Sequence, residues 1–377
     1  MLIGIDASCS VAAERTGTEN YSLYVIRALI DLGQAHRFRL YFRRLPAEGL
    51  FVQNERVSWR VMPFPRLWTH VRLAWELARR PPDVLYVPSH VLPWLHPRCC
   101  VATVHDLGYL RYPEAHRRWD RWYLDWSTRF SARAAQRVVV DSQATRNDLV
   151  SCYGIDARKV AVAYPAGSEG FAPVTDQRTL DAVRRRYDTG LCYFLHVGTL
   201  QPRKNLSTLI RALASLVEDG AIGGDVRLVL AGKPGWLSRE ILELASTSSF
   251  RDRLVLTGYV PSEDLPALLS GALACVLPSW YEGFGLPVLE AMACDTPVIC
   301  SNVSSLPEVA GDAALLFDPK DGSALAEAML RMYRDPALRQ DLVARGRGRV
   351  RVFSWRSCAE KVLGALEAVG TKDEHGR

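Results

Sequence analysis

Residues 279–297 read Ser-Trp-Tyr-Glu-Gly-Phe-Gly-Leu-Pro-Val-Leu-Glu-Ala-Met-Ala-Cys-Asp-Thr-Pro. The apolar run Leu273–Leu277 precedes this stretch and reads as a buried strand. Gly283 and Gly285 flank Phe284 in a turn whose backbone N–H groups can approach a ligand closely. Pro287 suits the first helical position, so a helix is predicted from Leu286. Glu282 precedes the glycines, and Glu290 is placed in the first helical turn, where the dipole favours an anion by about 0.3–1 kcal/mol. A carboxylate there can accept from a vicinal diol. An ordinary helix start with a capping acid would explain one Glu, but not two acids, two glycines and a proline together. Strand, glycine turn and helix N-terminus, in that order, form the ligand-binding corner of an open parallel sheet.

The same strand-to-helix grammar extends in both directions. Upstream of the turn, short apolar runs at Tyr193–Val197, Val226–Leu230 and Leu254–Leu256 alternate with predicted helices over 205–218, 238–246 and 263–270. Downstream come a helix over 287–294, runs at Pro297–Cys300 and Ala313–Phe317, and then helices to the end. In the first half, runs at Leu2–Ile5, Phe38–Phe42, Val84–Val87, Cys99–Val104, Arg137–Val140 and Val160–Tyr164 alternate with helices over 20–32, 70–80, 116–134 and 142–152. The polar Pro165–Gln177 stretch (PAGSEGFAPVTDQ) separates the two series. The fold class is therefore α/β, with two doubly wound parallel sheets facing across a cleft. The domain assignment is 1–170, 171–355, and a terminal helix and tail over 356–377 that packs back on the first domain. A chain of 377 residues fits two domains.

His196-Val197-Gly198-Thr199-Leu200-Gln201-Pro202-Arg203-Lys204-Asn205 follows the first strand of the second series. Gly198 permits close backbone approach, Arg203 offers a planar fork and Lys204 a point charge, and together they suit a diphosphate. Asn205 is a fair N-cap. A solvated basic turn is the plainer reading of the Arg-Lys pair alone. In the first series, His105 ends the strand run of Val104-His105-Asp106-Leu107, and Gly17 closes a loop that starts a helix. Either is as compatible with a structural role as with a ligand contact.

Composition narrows the function. Hydrophobic content of 48% with 23% charged residues describes a folded, enzyme-sized body. The absence of a run near 20 apolar residues, and an acid at Asp6, predict a cytosolic chain without a membrane span. Nine scattered cysteines show no Cys-x-x-Cys pair, so they read as buried thiols and not as a metal site. No Asp-x-Asp occurs, so no carboxylate pair for a metal-bound diphosphate is expected, and neither metal nor cofactor is assigned. No Gly-x-Gly-x-x-Gly follows any strand, which disfavours a nicotinamide oxidoreductase. No recognised module presents base-stacking aromatics, so nucleic acid is not assigned as a partner.

Charge is uneven: residues 1–160 hold 23 Lys/Arg against 15 Asp/Glu, whereas the remainder holds 24 against 26. Residues 111–137 concentrate this excess, with seven arginines against three acids. Trp119, Trp122, Tyr123 and Trp126 fall on one face of the helix predicted there. Such a face either belongs to the core or meets an anionic membrane surface.

With these residues in place, the chain resembles glycosyltransferase family four, retaining transferases of two Rossmann-like domains in the GT-B arrangement. EGFGLPVLEAMAC at 282–294 carries the likeness most specifically, with GTLQPRKN at 198–205, SNVSSLPEVAGDAALLFDP at 301–319 and VHDL at 104–107 in support. The resemblance implies a nucleotide-diphosphate sugar donor. Arg203 and Lys204 would hold its diphosphate and Glu290 its ribose hydroxyls. Glu282 and the amides of Gly283, Phe284, Gly285 and Leu286 would lie at the donor sugar, His105 near its 6-position, and Gly17 and Gly198 near the phosphates. The implied acceptor is a glycan or a polyprenyl-diphosphate-linked saccharide, met in the cytoplasm or peripherally on the inner face of the plasma membrane. SLPEV and GDAALLFDP look most like members transferring mannose or rhamnose in surface-polysaccharide assembly. GDP-mannose is thus the first donor expected, before UDP-glucose, UDP-N-acetylglucosamine and dTDP-rhamnose. A non-catalytic nucleotide-sugar-binding partner subunit is the alternative. Two positions depart from the family pattern. Asp295 replaces the usual glycine, so the turn before Pro297 is expected to be less permissive of positive φ. Gly167-Ser168-Glu169 stands where many relatives read Gly-Val-Asp.

Overall fold

The structure, a computed structural model, describes residues 1–12, 17–89, 91–247 and 250–374. The chain divides into two compact units. Unit 1 comprises Met1–Leu107, Trp119–Ala166 and the chain from Phe353; unit 2 comprises Gly108–Arg118 and Gly167–Val352.

Unit 1 holds seven parallel strands: β1 (Leu2–Asp6), β2 (Arg37–Phe42), β3 (Val57–Val61), β4 (Val84–Val87), β5 (Cys100–Val104), β6 (Arg137–Val140) and β7 (Val160–Val162). They lie in the order β3-β2-β1-β4-β5-β6-β7, with Ile5 of β1 opposite Leu40 on one side and Tyr86 on the other. β4 and β5 are buried along their whole length, as a parallel sheet covered on both faces requires. The helix Gly17–Leu32 turns Tyr21, Val25, Ile26 and Leu29 into this core at helical spacing. The terminal helix Trp355–Glu374 joins the same core through Cys358, Ala359, Val362, Leu366 and Val369. Each larger apolar side chain so buried contributes about 1.5–3 kcal/mol. Residues 375–377 of the predicted tail lie outside the described residues. β3 escaped the sequence pattern because it is an edge strand on which only Val57 is buried.

Unit 2 holds six parallel strands: β8 (Tyr193–Val197), β9 (Arg227–Ala231), β10 (Leu254–Gly258), β11 (Ala274–Leu277), β12 (Val298–Ser301) and β13 (Ala314–Phe317), in the order β10-β9-β8-β11-β12-β13. Helix Leu206–Glu218 packs Leu209, Ile210, Leu213 and Leu216 on this sheet with Met329 and Met332 of helix Gly322–Arg334. Helix Gln177–Tyr187 was not anticipated. It buries only Val183, so it has no apolar stripe to read, although Asp176 caps its Arg178 and Thr179 amides. The excursion Gly108–Arg118 was equally invisible; it is tied into unit 2 by a bond from the Trp236 indole to the Ala115 carbonyl and by stacking of Tyr112 on Trp280.

Helix Arg118–Ala134 inverts the usual polarity. Its buried residues are Ser127, Thr128, Ser131 and Ala132, while Trp119 is 83% and Trp122 62% exposed. The reading of this aromatic stripe as core is therefore incorrect: the buried side of the helix is filled by small side chains.

Candidate functional site

In unit 2 the strand order reverses between β8 and β11, the topological switch point at whose carboxyl ends ligands of such sheets bind. Gly198–Asn205 follows β8 and Ser279–Gly285 follows β11, so both loops singled out in the sequence flank that point. Trp280 N–H bonds the Arg203 carbonyl at 2.9 Å, and the Arg203 guanidinium bonds the Tyr281 carbonyl at 2.9 Å, which stitches the loops together.

The centre of the site is a buried ion pair. Lys204 Nζ donates to Glu282 Oε1 at 2.6 Å, Ser279 Oγ donates to the same oxygen at 2.6 Å, and Arg203 stands 3.7 Å from Oε2. Burial alone would raise the Glu282 carboxyl, but Lys204, Arg203 and these bonds hold it below the usual carboxylate range. The sequence reading treated Lys204 as a diphosphate ligand and Glu282 as a sugar ligand, without foreseeing that they pair. A serine layer fixes the loop from behind. Ser304 Oγ accepts from Glu282 N at 2.9 Å, Ser305 Oγ lies within bonding distance of the Glu282 and Phe284 carbonyls, and Ser301 Oγ donates to the Ser279 carbonyl at 2.6 Å.

Gly285, at φ 102°, precedes helix Leu286–Ala293, and a Cβ there would stand 2.7 Å from a Leu306 methyl. Glycine is thus required on both conformational and steric grounds. The helix starts where predicted, with Pro287 in its first turn. Glu290, however, is its fifth residue and lies beyond the first turn, so the dipole contributes less than expected. Its Oε1 accepts from Ser168 Oγ at 2.6 Å, and burial pushes its carboxyl up despite that bond.

Gly198 has φ 148°. Its carbonyl presses on Gly232, where a Cβ would stand 1.9 Å from that oxygen. A Cβ at Gly198 would meet His196 Nε2 at 3.5 Å and Lys204 Nζ at 3.8 Å. His196 Nδ1 faces the Val276 carbonyl at 2.9 Å, so it carries the proton, and burial followed by Lys204 lowers the ring to about 4. Its Nε2 has no partner among the described residues. The space above Gly198 is therefore bordered by an ammonium and by an acceptor lone pair, which suits a hydroxyl or water. Asn205 sits at the N-cap of helix Leu206–Glu218 with φ 54°, but its side chain makes no capping bond. Instead Nδ2 donates to the Pro319 carbonyl at 3.0 Å.

In unit 1, His105 follows β5, the neighbour of β4. Its Nδ1 lies 2.6 Å from Asp141 Oδ2 and its Nε2 3.1 Å from the Pro88 carbonyl. Burial would lower this imidazole, but two acceptors, one a carboxylate, raise it above 6.5. Asp141 was missed by sequence reasoning; its signal was an acid directly after the Arg137–Val140 run. Gly17 is exposed at the start of helix Gly17–Leu32.

At Asp295 the expectation fails. The residue adopts φ 57°, the left-handed conformation a glycine would supply, and its carboxylate takes a bidentate grip from Arg347 at 2.7 and 2.6 Å. A short polar side chain tolerates this region better than most.

Comparison with known proteins agrees with this anatomy. Residues 181–349 match the family described as "Glycosyl transferases group 1", and residues 15–166 match "Glycosyltransferase Family 4". The chain is 33% identical to O-antigen chain mannosyltransferase B of Escherichia coli over 78% of its own length and 77% of that protein. It is 28% identical to the serotype-specific mannosyltransferase WbdA of Escherichia coli over 76% of this chain, but spans only 37% of that longer protein. Among solved structures, sucrose-phosphate synthase from Thermosynechococcus elongatus superposes with a TM-score of 0.77 at 23% identity, covering 99% of this chain and 100% of that one. WaaG, a glycosyltransferase involved in lipopolysaccharide biosynthesis, gives 0.73 at 16% identity, covering 98% and 99%. The two parallel sheets, the switch-point loops and these matches together show that the chain is an enzyme of glycosyltransferase family 4, with structural neighbours of the GT-B class.

Proposed function

We propose that the enzyme transfers a hexose, mannose from GDP-mannose in the first instance, to a glycan or polyprenyl-diphosphate-linked saccharide in bacterial surface-polysaccharide assembly, with retention at the anomeric carbon. The observation that carries this reading is the buried Lys204–Glu282 pair, with Arg203 beside it, at the switch point of the unit 2 sheet. Two relatives named as mannosyltransferases support the choice of sugar.

In the reaction the bond from C1 to the diphosphate oxygen breaks and a bond from C1 to the acceptor oxygen forms on the same face. The acceptor proton passes to the departing diphosphate, through a short-lived oxocarbenium ion pair. Arg203, Lys204 and the backbone around Gly283–Leu286 meet the charge that develops on the leaving group. Lys204 is already held in place by Glu282, so it needs no reorganisation from water. Glu290, released from Ser168, accepts from the ribose diol. We assign His105 to the donor sugar and Gly17 and Gly198 to its phosphates. No metal is given a role, because fixed cations supply the countercharge. Among the described residues no helix is long and apolar enough to cross a membrane, and we place the enzyme in the cytoplasm, peripheral to the inner leaflet.

The test is release of nucleoside diphosphate from GDP-mannose, UDP-glucose, UDP-N-acetylglucosamine and dTDP-rhamnose with lipid-linked and soluble acceptors, and the anomeric configuration of the product by NMR. Preferential turnover of GDP-mannose with retention is expected. Binding of donors without turnover of any would favour the non-catalytic partner subunit instead.

A further inference from the structure

We propose that the aromatic face of helix Arg118–Ala134, with Trp94 beside it, docks on an anionic lipid bilayer. Helix 118–134 shows the opposite of the amphipathicity that builds a soluble domain, since Ser127, Thr128, Ser131 and Ala132 are buried and Trp119, Trp122, Tyr123 and Trp126 are exposed. The exposed rings continue beyond the helix. Trp126 meets Trp94 edge-on at 6.1 Å, Trp94 stacks on His70 at 4.5 Å, and Val71 and Trp75 are exposed one helical turn apart on the adjoining segment. Single exposed apolar residues are ordinary, but exposed rings in mutual contact, Tyr123 on Trp126 and Trp126 on Trp94, mark an interaction surface.

Charge selects the occupant. Arg118, Arg121, Arg129 and Arg133 of the helix are all exposed, as is the preceding Arg117. Of the two acids on the helix, Asp125 is engaged by the Tyr153 hydroxyl at 2.7 Å and by Arg129 at 3.7 Å, which leaves Asp120 as the exposed one. At helical spacing Arg118, Arg129 and Arg133 border the aromatic stripe, so a second copy would bring these arginines to a two-fold contact, like charge against like. A neutral saccharide would use the rings and leave the arginines without purpose. An anionic bilayer satisfies both, with indole rings at headgroup depth and each nearby cation attracted by the leaflet.

This deepens the lipid-linked acceptor reading and takes its purpose from it, but its test uses neither donor nor acceptor. Wild type, Trp119→Ser/Trp122→Ser and Arg117→Glu/Arg118→Glu/Arg121→Glu are sedimented with phosphatidylcholine vesicles carrying graded phosphatidylglycerol. Circular dichroism and a cooperative thermal melt confirm that each is folded. Wild type should bind more tightly as anionic lipid rises, with tryptophan emission shifted to the blue and quenched by brominated lipid. The tryptophan variant should lose at least about tenfold in partitioning, and the arginine variant should lose its dependence on lipid charge. Negligible binding of folded wild type at every composition overturns the proposal. So does a tryptophan variant that partitions as wild type does, or a wild-type dimer that this variant dissociates. Nucleoside diphosphate release that survives such a result would leave the transferase reading standing.

Discussion

Lys204 and Glu282 are tolerable in the interior of unit 2 because they pair at 2.6 Å, with Arg203 and Ser279 completing the shell of the carboxylate. Lys204→Met takes from the buried carboxylate its nearer cation, leaving Arg203 at 3.7 Å, and should cost about 3 kcal/mol in urea unfolding. Adding Glu282→Gln should recover most of that loss, because the uncompensated charge is gone; equal destabilisation of single and double variants would show that packing, not charge, sets the cost. In the role proposed for Glu290 the ionised carboxylate is the form that accepts from a diol. Its pKa is raised by burial, so nucleotide affinity should begin to fall at a higher pH on acidification than an exposed glutamate would allow. Calorimetry should show Glu290→Ala binding nucleoside diphosphate at least about tenfold more weakly, and Glu290→Gln weakened with this pH step removed. His105 has the opposite sign. A folded pKa above 6.5 means its contribution to stability is fully present below 6.5 and is lost as pH rises through the folded value. Asp141→Asn should therefore lower Tm more at pH 6 than at pH 9. The placing of Glu282, Arg203 and Lys204 on the loops after β11 and β8, and of Glu290 on the helix that follows, was legible in the sequence because strand, turn and helix start are local signals. Their supports were not. Ser304 comes to Glu282 from 22 residues away, Asp141 to His105 from 36, and Ser168 to Glu290 from 122, and nothing in local spacing announces such meetings.

At the scale of elements, periodicity located the buried strands and the helices with apolar stripes, and missed those without one. β3 is an edge strand and helix Gln177–Tyr187 is polar nearly all round, so neither offers a pattern of burial to the eye. Helix Arg118–Ala134 teaches the converse. Its aromatic periodicity was real, but periodicity does not say which side of a helix the sheet lies on. The turn after helix Leu286–Ala293 supplies a test of backbone chemistry. Asp295→Gly removes a partly exposed ion pair, contributing about 0–1 kcal/mol, and relieves left-handed strain of about 1–2 kcal/mol, so stability should change little. Asp295→Ala keeps the strain and loses the pair. Thermal melts should rank the alanine variant clearly below both glycine variant and wild type; the reverse order would contradict the assigned conformation.

For the whole molecule, the proposed division of labour predicts that transfer persists in excess EDTA and is crippled by Arg203→Ala. Loss of all activity in chelator, restored by Mg²⁺ or Mn²⁺, would refute the cation-based mechanism. Unit 1 depends on its last helix, which places Cys358, Val362, Leu366 and Val369 in the core it shares with helix Gly17–Leu32 and strands β4–β7. That dependence gives the chain a timetable. A polypeptide leaving the ribosome from its N-terminus delivers seven strands of unit 1 first, yet their core stays open until residues 355–374 appear, after all of unit 2 has been made. The first unit to be synthesised is then the last to close. Nascent chains stalled before Trp355 should show a protease-resistant unit 2 beside a digestible unit 1, and the cell must shield that open sheet for the time it takes to translate the remaining half of the protein.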